Sequence, residues 1–282
     1  MLRALFIIFL SGTLFGVNAE SKYDLVAKIL TTSSVQISID DLPGQLSQFP
    51  FLIPVEGRDK ERLANAFLNE LSMGFNEAEA LTNLQTYMLQ YGNISLLQKT
   101  LEWLNSTSGQ AVTQAELLST AGDDDFMRDF IVNFQPSKLE PTRLKLLSSV
   151  VERLATTELL FNMLDRMMPV MLNAMVGNEP KLASSAQKMS EFKAKFNLRM
   201  AKMRQHLEPM LSQHMLAVHA YIYRGLSDTD LTSFAEFATS EAGIHYIDLI
   251  NEGYIRVSVN WITQALPNIV SPPAQPETAA EE

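Results

Sequence analysis

Ser227-Asp228-Thr229-Asp230-Leu231-Thr232-Ser233-Phe234-Ala235-Glu236-Phe237-Ala238-Thr239-Ser240-Glu241-Ala242-Gly243 reads as one helix, a corner and the start of a second helix. Ser227 is a good N-cap residue, and Asp230 three places later sits as in a capping box. Leu231 to Ala238 supply a face for burial at helical spacing. Ser240 then caps the next helix, Glu241 suits the positive end of that helix, and Gly243 lets another helix backbone approach closely.

The same pattern occurs earlier in the chain. Asn93 aligns with Ser227, and Leu97, Glu102, Trp103, Ser106 and Gly109 match Leu231, Glu236, Phe237, Ser240 and Gly243 in unbroken register. Tyr87 and Tyr221 fall in that register too. Lys28-Ile29-Leu30-Thr31-Thr32 resembles Arg153-Leu154-Ala155-Thr156-Thr157, with Asp40 level with Asp165. Two similarities in the same order point to an internal duplication. The expected organisation is all-α: two tandem helical-bundle units, residues 20–138 and 139–270, joined around Gln135 to Pro141.

The rest of the chain agrees with a helical reading. Leu144, Leu147, Val151 and Leu154 step along one face, and Pro141 stands just before them, where a first-turn proline is tolerated. Only Val35-Gln36-Ile37-Ser38-Ile39 alternates like a strand; too isolated to build a sheet, it is expected to be helix or irregular. Pro43-Gly44, Pro50, Pro54 and Gly57 predict an irregular segment, and Gly122 before Asp123-Asp124-Asp125 predicts a turn with an aspartate cap. Pro169 should kink or interrupt the long central helix, which Gly177-Asn178-Glu179-Pro180 ends.

The chain has 282 residues, 46% of them apolar and 19% charged, enough apolar material for real cores. Arg3, an apolar stretch from Ala4 to Leu10 and Val17-Asn18-Ala19 read as a signal peptide over residues 1–19, cleaved after Ala19, with the periplasm of a Gram-negative bacterium as destination. The apolar run is too short to span a bilayer, so no integral span is expected once it is removed. Ser271-Pro272-Pro273 to Glu281-Glu282 reads as a disordered, acidic, proline-rich tail over residues 271–282. Cysteine is absent, which excludes disulfides, thiolate ligands and a cysteine nucleophile. Of the 22 basic side chains Arg3 would leave with the leader, so 21 face 32 acidic ones. That balance argues against nucleic acid as a partner.

The run from Gly225 to Leu231, followed by Phe234 to Gly243, resembles an exported bacterial family known only as a domain of unknown function, the DUF 2059 type. Its hallmark is a serine-acid-acid-leucine start, an aromatic pair and a serine-proline-alanine-glycine corner. Here Glu241 replaces the proline, Ala238 the second aromatic and Ile244 a usual glutamine. The resemblance covers Val150 to Val259, including the thread from Leu159-Leu160 to Met175, with a diverged copy in the first half. It implies a helical periplasmic domain and brings no established reaction.

Chemistry is harder to find. His206, His214, His219 and His245 contain no pair four apart, so they are expected to be solvent-facing or locally satisfied. Ten of the 14 methionines lie between Met163 and Met215, and Met163, Met167, Met171 and Met175 recur every fourth residue. That stripe reads first as a core face; a pliable apolar groove or a monovalent-copper site are the alternatives. Gly-x-Ser-x-Gly and phosphate-loop patterns are absent, and Asp123-Asp124-Asp125 lacks the calcium-loop spacing. Phe49-Pro50-Phe51-Leu52-Ile53-Pro54 is apolar, a plug for the end of a bundle or a sticky loop. No catalytic, cofactor-binding or metal-binding residue is assigned. The expected function is a non-enzymatic binding or structural protein of the envelope, acting on a partner protein or an apolar ligand, with an unrecognised envelope enzyme as the remaining alternative.

Overall fold

Helix after helix begins at a residue able to accept a backbone N–H, and the computed structural model shows those bonds made. It describes residues 21–47, 68–69, 71–120, 124–177 and 186–270; the leader, the Phe49 to Pro54 stretch, Gly122 and Asp123, Asn178 to Pro180 and the tail lie outside them. Ser21 caps α1 (Lys22–Thr32) through Asp24 N–H, and Asn76 caps α4 (Glu77–Tyr91) through Glu79 N–H. Asn93 caps α5 (Ile94–Leu104) through Leu96 N–H, and Ser227 caps α11 (Asp228–Thr239) through Asp230 N–H. Each cap is worth about 1 kcal/mol. The described residues form helices, turns and short connections, with no strand among them.

The alternating segment is helical, forming α2 (Val35–Asp40), whose Val35 and Ile39 are buried four residues apart. Tertiary burial on a helical face overrides a five-residue alternation. The structure corrects the expected irregular segment at its start only: Pro43 and Gly44 belong to a one-and-a-half-turn helix, α3 (Leu42–Ser47), while Pro50, Pro54 and Gly57 lie outside the described residues. A proline at the second helical position gives up an N–H that would have had no partner there. Pro141 opens α8 (Pro141–Leu154) as its spacing predicts. Pro169 does not interrupt α9 (Thr156–Gly177), and Pro209 likewise sits inside α10 (Ala186–Ile222). Both prolines are exposed, so water can satisfy the carbonyl each one frees.

Two cores result. Leu25, Val26 and Ile29 of α1, Leu84 and Met88 of α4 and Leu97 of α5 pack with Phe161 and Leu164 of α9 and with Ile262 of α12 (Glu241–Val270). Leu147 and Val150 of α8 pack with Leu231, Phe234 and Phe237 of α11 and Val112 of α6 (Thr107–Thr120). Each core draws side chains from both sequence segments. Burying each such large side chain contributes about 1.5–3 kcal/mol.

The corners account for this sharing. Ser106 Oγ donates to Trp103 O at 2.6 Å and accepts Gly109 N–H at 3.0 Å; Ser240 Oγ donates to Phe237 O at 2.7 Å and accepts Gly243 N–H at 3.1 Å. A Cβ on Gly109 would strike the carbonyl oxygen of Trp103, and one on Gly243 that of Phe237. The backbone approached so closely is that of the preceding helix. From these corners α5 lies against α12 and α11 lies against α6, while α1 covers α5 and α8 covers α11.

A partly buried polar cluster ties distant segments together. Ser34 Oγ donates to Glu116 Oε2 at 2.6 Å, and Tyr223 OH donates to Glu116 Oε1 at 2.8 Å. Burial pushes the Glu116 carboxyl up, against the pull of these two bonds. Burial and the adjacent carboxylate push the Tyr223 hydroxyl well above its ordinary range.

Candidate functional site

Tyr87 and Tyr91 are four apart on α4 and therefore share a face. Their rings lie 4.6 Å apart at 41°, and the Arg256 guanidinium of α12 stands 4.8 Å from the first ring and 5.7 Å from the second. Gly253 of α12 leaves room for the Leu84 side chain of α4, whose Cδ1 a Cβ there would strike. One turn back on α12, Glu252 accepts from Arg256 Nε at 3.1 Å and from Arg166 Nη1 of α9 at 2.6 Å. Three helices are thus joined around a tyrosine pair and an ion-paired glutamate.

Between them runs a groove of about 620 Å³. Glu158, Leu159, Asn162 and Arg166 line its α9 side, His245, Asp248, Asn251 and Glu252 its α12 side, and the two tyrosines its α4 side. Asp248 accepts from Arg153 Nη2 at 2.9 Å, and Arg153 also donates to the carbonyls of Ala238 and Ile244. His245 Nε2 accepts Asn93 N–H at 2.9 Å, so the ring proton sits on Nδ1. Asn251 Nδ2 donates to Leu154 O at 3.2 Å. At the groove's end Ala155, between α8 and α9, has φ 52°, a left-handed conformation costly for a residue with a Cβ.

The electrostatics follow from this geometry. Partial burial raises the Glu252 carboxyl, but the guanidinium groups of Arg166 and Arg256 outweigh it and hold the group below the ordinary range. Tyr87 is pushed up, first by burial and then by the Glu252 charge, with Arg256 opposing. Glu252 and Asp248 are therefore matched by arginines, whereas Glu158 and Asn162 are exposed and pair with no described residue.

The residues that the sequence singled out lie mostly elsewhere. His206 and His214 are exposed on α10, and His219 is buried with Nδ1 2.7 Å from Met215 O. Only His245 reaches the groove. Among the described residues no three His, Asp or Glu side chains gather as metal ligands. Met163 and Met167 are buried in the first core with Leu160 and Leu164, and Met210 is exposed. Asp125 pairs with Arg128 at 2.8 Å near the start of α7 (Asp124–Val132).

Sequence reasoning missed Tyr91, Arg153, Arg166, Asp248, Glu252 and Arg256. The i, i+4 spacings of Tyr87 with Tyr91 and of Glu252 with Arg256 were signals available in the chain. Arg153 and Arg166 reach partners 95 and 86 residues away, and no local pattern marks them. No described helix is long and apolar enough to cross a membrane. Compared with known proteins, the chain matches no family model, no curated protein and no solved structure.

Proposed function

We propose that the chain is a non-enzymatic binding protein of the bacterial cell envelope, a diverged duplication of the DUF 2059 type, exported by cleavage after Ala19. It engages its ligand or partner in the groove between α4, α9 and α12. The observation carrying this reading is the groove itself: its volume of about 620 Å³ suits a small-molecule or peptide site, and most of its polar side chains are held by fixed partners. Held groups lose little entropy when a ligand arrives. The methionine stripe supports a groove less well, because Met163 and Met167 face the core. The lining combines tyrosine rings with charged and amide groups, which suits an amphipathic occupant better than a wholly apolar one.

Export is tested by producing the full chain in a Gram-negative host and sequencing the N-terminus of the periplasmic protein, which should begin at Glu20. Binding is tested by native mass spectrometry of the same material. A bound species or partner protein seen with wild type and lost from Tyr91→Ala and Asn162→Ala supports the groove. A species retained by both variants, or none in any preparation, overturns it.

A further inference from the structure

We infer that the groove takes a neutral oligosaccharide. The inference rests on the reading of the groove as a binding site and adds the class of ligand. Its first ground is charge compensation. Glu252 lies between Arg166 and Arg256, and Asp248 is paired with Arg153. These arginines are already engaged, so a phosphate or carboxylate ligand would have to compete with the protein's own acids. A polycation meets only one carboxylate without a described partner, Glu158. An apolar ligand would cover these polar groups and satisfy none of them.

The second ground is the pairing of surfaces. Tyr91 is 48% exposed beside Tyr87, offering an aromatic face with a hydroxyl at its edge. Glu158 and Asn162, four apart on α9, line the groove without a partner among the described residues, the one as an acceptor and the other as a donor with an acceptor. A pyranose ring matches both halves: its C–H face stacks on the tyrosine, and its rim hydroxyls donate to the carboxylate and exchange both kinds of bond with the amide. N-acetyl groups add a donor and an acceptor of the amide type.

The test is saturation-transfer NMR on the full chain with two probes at millimolar concentration, a β-1,4-linked N-acetylglucosamine tetramer and maltotetraose. Transfer to ring C–H protons of at least one sugar is expected. Tyr91→Ala and Asn162→Ala should each weaken binding about fivefold, while Tyr91→Phe keeps most of it and Tyr23→Ala, on exposed α1 surface, leaves it unchanged. Circular dichroism establishes that each variant is folded. No transfer with either sugar, transfer indifferent to Tyr91→Ala, or binding of spermidine or hexa-arginine in place of the sugars would each overturn the inference. If native mass spectrometry still finds a groove-dependent species after both sugars fail, the binding-site reading stands and the ligand class alone is wrong.

Discussion

The indole of Trp103 lies flat on the ring of Phe237, centroids 4.0 Å apart and planes 4° from parallel. The two residues hold the same place, three before the serine, in the two like-built corners. Phe234 adds a second stacked contact at 5.6 Å, and Tyr246 packs beside Phe237. Trp103 and Tyr246 border both cores, so this stack is where the cores meet.

Phe237→Ala should therefore destabilise the protein by about 3–4 kcal/mol, as expected for a buried aromatic truncated in a packed core. Trp103→Phe should cost about 1 kcal/mol or less. The buried indole Nε1 donates to no described residue, so removing that N–H loses little and the stack survives. Urea unfolding of both variants measures the difference; equal losses would show that the stack does not organise the junction.

Gly109→Ala and Gly243→Ala should each cost about 2 kcal/mol or more, because the added methyl meets a backbone carbonyl and the helix must shift. Gly225 is the control, since a Cβ there meets nothing. Thermal melts in which Gly225→Ala proves the worst of the three would contradict this account of the corners.

Ala155→Gly should stabilise the chain by about 0.5–1 kcal/mol, the relief of a left-handed residue less the entropy that glycine brings to the unfolded chain. The backbone bonds from Ala155 N–H to Val151 and Glu152 are retained in such a variant. A lower midpoint than wild type in guanidinium would mean that the Ala155 methyl makes a packing contribution larger than the strain.

Glu252 gives a signed pH dependence. Its carboxyl is held lower in the folded chain than in the unfolded chain, so the unfolded state binds the proton more readily. The stability it supplies is present above the ordinary glutamate range and is lost as pH falls through the lowered folded value. Glu252→Gln should narrow the stability gap to wild type as pH drops from neutral into that range. Melting temperatures that differ by a constant amount across the series would rule out this coupling to Arg166 and Arg256.

Helix starts, corner serines and the all-α class were legible in the chain because their causes are local. A cap and the N–H it satisfies lie three residues apart, as Asn93 with Leu96 and Ser227 with Asp230 demonstrate. Where a local signal competed with distant packing it gave way: Val35 to Ile39 alternates yet coils, because Ile39 is wholly buried in the first core. Leu97 and Leu231 were recognisable as buried positions from spacing, and both are fully enclosed. Their partners were not.

What the corners are for, and where a groove opens, depends on long-range packing. The Trp103 and Phe237 rings meet across the chain because α5 lies on α12 and α11 on α6, an exchange invisible to any window of neighbouring residues. The groove depends on the same packing: Tyr87, Arg166 and Glu252 come from three helices, and Gly253 of α12 leaves room for the Leu84 side chain of α4. Backbone bonds and caps act within a turn, whereas ion pairs and stacked rings become specific only after hydrophobic burial has brought distant segments together. Helices and their ends therefore follow from neighbouring residues, and burial between helices selects which side chains share a site.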